Sequence, residues 1–379
     1  MEKFKQLSVI ILVVLGLLSG TAKAVFSPLE INTYETRPAN QLPNFKVSSF
    51  LSGSYQNGFE SALSDQIPFS QYFKKAYNEL SSRVVEYGIK PILEAAPDTL
   101  VNYNNNRIFH DYLIYTCRDF EAVKPAYDIM ADSYKAAMHA NPDVEFVFYY
   151  IESDTCCDVV TGDKNPSYQY LKDAMDLTEE SFGRLEVNGF DDFKEYFRKT
   201  DHHWNNKGSY KAYTEIVTLL GIEDEHLIPA EERNLGTHYV GTKGMGAKLP
   251  SFYELPDVYF FDYPDLGVTY GSEHLYREGA LSEMAYSTFY GGDETEFVFD
   301  TGIAERENIL VLGDSFDNAI LKLLASHFGK TYSVDMRYYS EEDGGSLNIT
   351  EYIKRNDIDK VLVVGSDFLF TDPTFAVRS

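Results

Sequence analysis

Two short motifs in the sequence contain residue types that could together perform nucleophilic catalysis. Residues 201–204 read Asp-His-His-Trp, and residues 313–315 read Gly-Asp-Ser. A serine nucleophile needs a base to accept its proton, and that base needs a carboxylate that orients it. Asp201 and His203 are two residues apart and point to the same side of an extended loop. The pattern therefore predicts Ser315 as the nucleophile, His203 as the base and Asp201 as the residue that orients the base.

Other interpretations of these motifs remain open at the level of the sequence. Gly-Asp-Ser is also a common turn, and Asp201 or Asn205 could simply cap the helix that follows. The adjacent histidines, His202 and His203, could supply half of a metal site. No second cluster of His, Asp or Glu with ligand spacing accompanies them, so no metal is expected.

Each motif borders a predicted secondary-structure element. Four consecutive large apolar residues, 309–312, predict a short buried strand over residues 308–313, and this strand opens into the Gly-Asp-Ser turn. A helix is predicted next, over residues 318–328. Open α/β sheets place their ligands at the carboxyl ends of parallel strands, and Ser315 is expected at such an edge, near backbone N–H groups that can stabilise an oxyanion.

Predicted helices and strands alternate over much of the chain, which indicates the α/β class. Residues 25–60 look irregular. Further strands are predicted over residues 145–151, 331–335 and 360–365, and helices over residues 71–87, 120–140, 168–184, 207–220 and 349–356.

Residues 225–300 differ in composition from the rest of the chain. Helical periodicity fades there, and Gly, Pro, Tyr and Asp become frequent. We interpret this segment as a β- and loop-rich insertion that packs over the sheet. Its tyrosines could line a sugar-binding groove or form a small core of the insertion, and the second interpretation is favoured.

The N-terminus has the pattern of an export signal. Lys3 and Lys5 precede an apolar run over residues 7–18, and Ala22-Lys23-Ala24 provides a small-x-small cleavage site. Residues 1–24 are therefore predicted to be a signal peptide and residues 25–379 one domain, with an uncleaved anchor as the alternative. The 379 residues carry a formal charge of −26, which argues against nucleic acid and anionic lipid as partners.

The chain contains three cysteines: Cys117, Cys156 and Cys157. An exported protein with this set is expected to form one disulfide and to keep one free thiol. Cys117 bonded to either member of the vicinal pair is the expected pairing, because a bridge between neighbouring cysteines is strained.

Taken together, the two motifs resemble those of the bacterial DHHW-motif proteins. Residues 201–204 supply Asp-His-His-Trp, and residues 313–316 supply Gly-Asp-Ser-Phe. That family is similar to the SGNH-hydrolase-like group, which includes the alginate O-acetyltransferases. The resemblance implies a three-layer α/β/α fold with a parallel sheet and a permuted motif order. It also implies the same triad of Ser315, His203 and Asp201.

The resemblance further suggests where an oxyanion or the substrate would bind. In folds of this type the backbone N–H of the nucleophile is one oxyanion donor, and a glycine N–H and an asparagine side chain often supply others. The candidates are Gly291, Gly292 and Asn318. Arg337 is a candidate for binding an acyl oxygen or a sugar, and a structural pair between Asp335 and Arg337 is an equally good interpretation.

The expected function is that of an exported serine acyl-enzyme that needs no cofactor and handles acetyl groups on a carbohydrate. Transfer to a cell-surface or extracellular polysaccharide would make it an O-acetyltransferase, with a membrane acyl-transfer partner that supplies the acetyl group. Transfer to water would make it a carbohydrate acetyl esterase. The alternative from another class is a non-catalytic surface protein that binds glycan.

Overall fold

The computed structural model describes residues 2–29, 31–32, 37–103, 106–222, 226–270, 286, 290, 295–342 and 346–379. The chain divides into two compact units. The first contains Met1–Pro91 and Lys248–Ser251, and the second contains Ile92–Ala247 and Phe252–Ser379. Every residue of the two catalytic motifs belongs to the second unit.

The first unit is mainly helical. Its helices are α1 (Glu2–Phe26), α2 (Val47–Leu51), α3 (Ser54–Gln66) and α4 (Ser70–Ala95), whose last turn extends beyond the unit, and its strands are β1 (Ile31–Asn32) and β2 (Arg37–Pro38). The expectation that residues 25–60 are irregular was wrong for α2 and α3, since α3 packs against the apolar α1. Among the described residues, no helix is both long and apolar enough to cross a bilayer.

The second unit alternates helices and strands. Its helices are α5 (Phe120–Ala140), α6 (Ser167–Ala174), α7 (Phe190–Tyr196), α8 (Asn206–Leu219), α9 (Thr242–Gly246), α10 (Leu321–Ala325), α11 (Met336–Glu342), α12 (Ile349–Asn356) and α13 (Asp367–Thr371). Its strands are β3 (Val101–Tyr103), β4 (Asn106–Phe109), β5 (Tyr112–Ile114), β6 (Glu145–Ile151), β7 (Cys157–Asp158), β8 (Asp163–Lys164), β9 (Phe182–Leu185), β10 (Glu231–Asn234), β11 (Asp257–Phe260), β12 (Gly267–Tyr270), β13 (Glu296–Asp300), β14 (Ile309–Gly313), β15 (Lys330–Asp335) and β16 (Lys360–Ser366).

A seven-stranded, mostly parallel sheet organises the second unit. Its strand order is β12-β13-β15-β14-β16-β6-β9. The five strands β15, β14, β16, β6 and β9 are parallel to one another, whereas β12 and β13 are antiparallel additions at one edge. The mixed α/β class with a mainly parallel sheet, predicted from the sequence, is confirmed.

Both faces of the sheet are covered, which explains its continuous apolar strands. In β14, Ile309 and Val311 belong to one apolar cluster, and Leu310 and Leu312 belong to the other. The first cluster includes side chains of α8 and α10, and the second includes side chains of α5, α6, α12 and α13. The second unit is therefore a three-layer α/β/α arrangement, since helices cover both faces of the sheet. Strands with two buried faces need apolar residues at every position.

Several local expectations need correction. Residues 168–184 are not one helix, because α6 ends at Ala174 and residues 182–185 form β9 beside β6. The helix predicted over residues 318–328 is divided into a 3₁₀ turn at Asp317–Ala319 and the short α10. Sheet pairing and close packing outweigh helix propensity at these places.

The predicted insertion at residues 225–300 contains the short strands β10 to β13 in its described part, and β12 and β13 join the main sheet. Cys117, Cys156 and Cys157 are all free thiols, so the expected disulfide does not form in this structure.

Candidate active site

Ser315 follows β14 at the carboxyl edge of the parallel sheet. It is 7% exposed and lies two residues beyond Gly313, the last residue of the strand. A Cβ atom at position 313 would lie 2.3 Å from Asp317 Oδ2 and 3.0 Å from the Val364 carbonyl oxygen. Only glycine fits there without displacing its neighbours, so this glycine allows the turn that carries the serine to pack closely against the next strand.

The Asp-His-His-Trp motif lies in the tight loop between α7 and α8. Trp204 forms an isolated antiparallel bridge with Phe197, and the Arg198 N–H donates to the His203 carbonyl at 3.1 Å. Asn205 caps α8, since its side chain accepts hydrogen bonds from the backbone N–H groups of residues 207 and 208. Asn205 and not Asp201 therefore caps the helix, and the Asp201 carboxylate hydrogen-bonds His203 instead.

The structure brings Asp201, His203 and Ser315 into one hydrogen-bonded relay. His203 Nε2 lies 2.8 Å from Ser315 Oγ, and His203 Nδ1 lies 2.7 Å from Asp201 Oδ1. Asp201 and His203 are 1% and 5% exposed, respectively. Distances of this kind allow Nδ1–H to donate to the carboxylate while Nε2 accepts the serine proton.

Both oxygens of the Asp201 carboxylate accept two hydrogen bonds each. Oδ1 also accepts the His203 backbone N–H at 3.0 Å, while Oδ2 accepts the Tyr239 hydroxyl and the Thr242 N–H, the latter at 3.0 Å. Burial alone would raise the pKa of Asp201, but the charge and hydrogen bond of His203, with smaller contributions from His202 and Tyr239, hold it well below its usual value. The carboxylate is therefore ionised at neutral pH.

Gly241 leaves room for the Asp201 side chain, because any side chain at position 241 would collide with it. A Cβ atom at Gly241 would lie 2.2 Å from Asp201 Oδ2 and 2.3 Å from its Cβ. Gly241→Ala should therefore push the carboxylate away from His203 and lower kcat by about 100-fold, the usual effect of a misplacement of about 1 Å. Steady-state kinetics on an acetyl ester would measure this effect.

Gly246→Ala is the matched control for that variant. It lies only five residues further along the chain, and no atom lies within 4 Å of its added methyl group. Its kcat and melting temperature should stay near those of the wild type. Equal losses in the two variants would contradict the proposed steric role of Gly241.

Tyr286 stacks on the imidazole of His203. The two rings are 3.8 Å apart and nearly parallel, with an interplanar angle of 3°. The Tyr286 hydroxyl accepts from Trp204 Nε1 at 3.1 Å and donates to the Phe316 carbonyl at 3.2 Å. Trp204 and the residue after the nucleophile thus hold Tyr286, which in turn holds the plane of the imidazole.

Tyr286→Leu is expected to lower kcat by about 30-fold, since it removes a ring contact worth about 1 kcal/mol and a hydroxyl bridge of similar value. Because Tyr286 does not line the cavity at Ser315, KM for a small ester should change little. Tyr286→Phe retains the ring, so its kcat should fall less than that of Tyr286→Leu. A rise in KM with unchanged kcat would show a role in substrate binding instead.

A cavity of about 290 Å³ opens at Ser315 along the carboxyl edge of the sheet. Arg337 lines it and is paired with Asp335 through contacts of 2.6 and 3.0 Å. Arg118 lines it as well, 3.4 Å from Asp367. Burial raises the pKa of Asp314, the residue before the nucleophile, to about 6, although the charge of Arg337 opposes this shift.

The remaining candidates from the sequence have different outcomes. Gly291 and Gly292 lie outside the described residues. Asn318 is buried in the 3₁₀ turn after Ser315 and is not part of the cavity lining in the described chain, so its oxyanion role stays a prediction. No described residue accepts a hydrogen bond from the Ser315 backbone N–H, which leaves that group able to bind an oxyanion. Arg337 is both an ion-pair partner and a cavity residue.

His202 contacts the relay at its carboxylate end, where its Nδ1 lies 3.3 Å from Asp201 Oδ1. Its Nδ1 lies 2.6 Å from Thr242 Oγ1, and partial burial together with the neighbouring His203 lowers its pKa. One ligand atom each from Asp201, His202 and His203 lies within 4.8 Å of the others, a spacing that could hold a metal ion. His203 uses both of its ring nitrogens, and Asp201 both of its carboxylate oxygens, in the hydrogen bonds described above, an arrangement that suits a proton relay better than a metal centre.

Analysis of the sequence alone missed Tyr286 and three residues that position Asp201. Tyr239 and Thr242 hold Asp201, and Gly241 leaves room for it. These three residues lie about 40 residues after the motif that they support. The glycine-rich run at residues 241–246 was the one local feature that could have indicated these residues, but its composition is also that of an ordinary loop.

The fold and the relay define the chain as an α/β protein with a serine, histidine and aspartate arranged at the carboxyl edge of a parallel sheet. No protein-family model matches the sequence, and no curated protein matches it. Solved structures do match. A DHHW family protein from Eubacterium siraeum superposes with a TM-score of 0.55 at 17% identity, and the match covers 74% of this chain and 98% of that one.

PatB1 of Bacillus cereus is also similar, with a TM-score of 0.50, 20% identity, and coverage of 73% of this chain and 98% of that one. A third match is the O-acetyltransferase domain of Pseudomonas putida AlgJ, with a TM-score of 0.40, 10% identity, and coverage of 72% and 92%. The first two of these matches confirm, for the fold, the resemblance to DHHW-motif proteins that the sequence motifs indicated.

Proposed function

We propose that this chain is an exported serine acyl-enzyme that acts as an O-acetyltransferase of a cell-surface or extracellular polysaccharide. Ser315 Oγ attacks the acetyl carbonyl of a donor, and His203 Nε2 accepts the serine proton. His203 then passes this proton to the leaving oxygen, and an acetyl-serine remains. Asp201 keeps the imidazole in the required tautomer and stabilises its charged form.

The second half-reaction is the reverse of the first with a different alcohol. A sugar hydroxyl enters, His203 takes its proton, and the oxygen attacks the acetyl-serine carbonyl. The serine oxygen leaves as the acetylated sugar forms and recovers its proton from His203, so the relay returns to its starting state. Water in place of the sugar would make the same residues an esterase.

One observation carries this proposal: the relay of 2.7 and 2.8 Å contacts ends at a serine that faces a cavity. A protein that only binds glycan has no need of a buried carboxylate with four hydrogen bonds behind a histidine. The motif resemblance to the group that includes the alginate O-acetyltransferases favours transfer over hydrolysis.

The charges around the cavity favour an acceptor sugar without a negative charge. Arg118 and Arg337 each have a carboxylate partner, and Asp314 adds a further acid beside Ser315. The formal charge of −26 also repels polyanions at long range. If residues 1–24 direct export, the acetyl group has to come from a membrane acyl-transfer partner, because cytoplasmic donors are absent outside the cell.

The test follows acetyl transfer by purified protein from a chromogenic acetyl ester, with and without a neutral oligosaccharide acceptor. Chromophore release gives the rate of acetyl-serine formation, and mass spectrometry shows whether the acetyl group ends on sugar or on water. A methyl-esterified oligogalacturonate and its free acid form a matched acceptor pair with the same sugar chain, in which a methyl group on each carboxyl removes the negative charge.

Acetylated sugar, formed faster on the methyl ester than on the acid, is the expected result. Acetate as the sole product would make the protein an esterase. If the ester is not cleaved at all while the oligosaccharide still binds, the glycan-binding alternative replaces the enzymatic one.

A further inference from the structure

Helix α4 presents a row of large apolar side chains to solvent. They recur along the helix at alternating intervals of four and three residues, and each is 65–78% exposed. The row consists of Phe73, Tyr77, Leu80, Val84 and Tyr87. Isolated exposed apolar residues are common on protein surfaces, but a continuous stripe of five on one helix marks a contact surface.

The stripe is not the face by which α4 packs on its own unit. The buried residues of the helix are Ser82 and Ile89, seven positions apart on the opposite side. The Ser82 hydroxyl accepts a hydrogen bond from the Ser251 N–H at 3.2 Å, which fixes that side toward the unit. An apolar stripe opposite the buried side needs a partner from elsewhere.

The spacing of the stripe specifies the shape of this partner. Intervals of four and three residues reproduce the a and d positions of a heptad, which form a narrow seam that another helix of the same pattern fills. Val84 and Tyr77 take the a positions, and Phe73, Leu80 and Tyr87 take the d positions. We propose that α4 of one chain pairs with α4 of a second copy of this chain as a parallel two-helix coiled coil.

The charges beside the stripe fit a parallel pair. In that arrangement each g residue faces the e residue of the next heptad on the other copy. Arg83 then faces Gly88, and Lys90 faces Ala95, so no like charges meet. In an antiparallel pair the g positions face one another and bring Arg83 and Lys90 of both copies to one flank.

The available area is sufficient for a stable dimer. Phe69, which directly precedes α4, is 70% exposed. Together with the stripe it exposes on the order of 800 Å², since a large aromatic side chain has about 150–250 Å². A typical stable interface buries about 800 Å² per partner.

Sedimentation velocity of the purified protein at micromolar concentrations would measure the mass in solution. A dimer is expected for the wild type. Leu80→Glu should weaken dimerisation by at least about 100-fold, because it buries an unpaired carboxylate in the seam. Ile228→Glu is the matched control, since Ile228 is 75% exposed and lies outside the stripe. This control should remain dimeric.

A cysteine cross-link reports the direction of the helices. Phe73 is close to one end of the stripe, so Phe73→Cys chains can form a disulfide with one another in a parallel pair, where the two positions meet. An unchanged circular-dichroism spectrum would show that each variant is folded.

A monomeric wild type, or a dimer that survives Leu80→Glu, would overturn the pairing of the two α4 helices. Binding of a monomeric wild type to phosphatidylcholine vesicles, lost in Leu80→Glu, would assign the stripe to a membrane surface instead. Failure of Phe73→Cys to cross-link in a confirmed dimer would exclude the parallel arrangement. None of these readouts depends on acetyl transfer, so the proposed function can fail or stand independently.

Discussion

Ser315→Ala is expected to reduce kcat/KM for an acetyl ester by at least about 10⁴-fold, because loss of the nucleophile in a serine relay leaves only the binding and oxyanion contributions. Of the three relay residues, Ser315 is the one that lines the cavity, and its Oγ lies 2.8 Å from His203 Nε2. A sulfonyl fluoride should modify the wild-type protein once, at Ser315. Mass spectrometry would find no such adduct at this position in the variant.

The adjacent histidines supply an internal control for this expectation. His203→Ala should lose as much activity as Ser315→Ala, because the base and the nucleophile act as one unit. His202→Ala should lose only about fivefold, the equivalent of one hydrogen bond of about 1 kcal/mol, since its Nδ1 contacts Thr242 and not Ser315. Equal losses in the two histidine variants would contradict the assignment of His203 as the base.

Asp201→Asn is expected to lower kcat by about 10⁴-fold while leaving the fold intact, as loss of the orienting carboxylate does in other serine relays. An amide at this position removes the charge that stabilises the protonated imidazole. Its NH₂ group would also face a donor, either His203 Nδ1–H or the Tyr239 and Thr242 donors. Burst kinetics would show slow acetyl-serine formation, and KM should change far less than kcat.

The same substitution should change how stability depends on pH. Asp201 has a pKa well below its usual value in the folded protein, so it contributes stability above the unfolded-state pKa of about 3.9. That contribution is lost as the pH falls through the lower folded-state pKa. Melting curves below about pH 4 should therefore show a steeper loss for the wild type than for Asp201→Asn. Identical pH profiles would show that Asp201 is not held in its ionised form.

Local patterns determined much of the framework. The strands at residues 309–313 and 360–366 and the helix at residues 120–140 were recognisable because continuous or periodic apolar residues reflect burial directly. Strand β9 was missed, since Phe182–Leu185 becomes a strand only by pairing with β6. Short segments with weak patterns depend on the neighbour that completes them.

For the site, the sequence by itself determined the residue types of the relay. It named Asp201 and His203, two residues apart, and the serine that follows a buried strand. Only the tertiary structure decided that they meet, since His203 and Ser315 are 112 residues apart in the chain. It also added Tyr239, Gly241 and Tyr286, which hold the carboxylate and the imidazole in place. Chemistry is encoded in residue types over a few positions, whereas positioning depends on contacts between distant segments that leave no periodic pattern in the sequence.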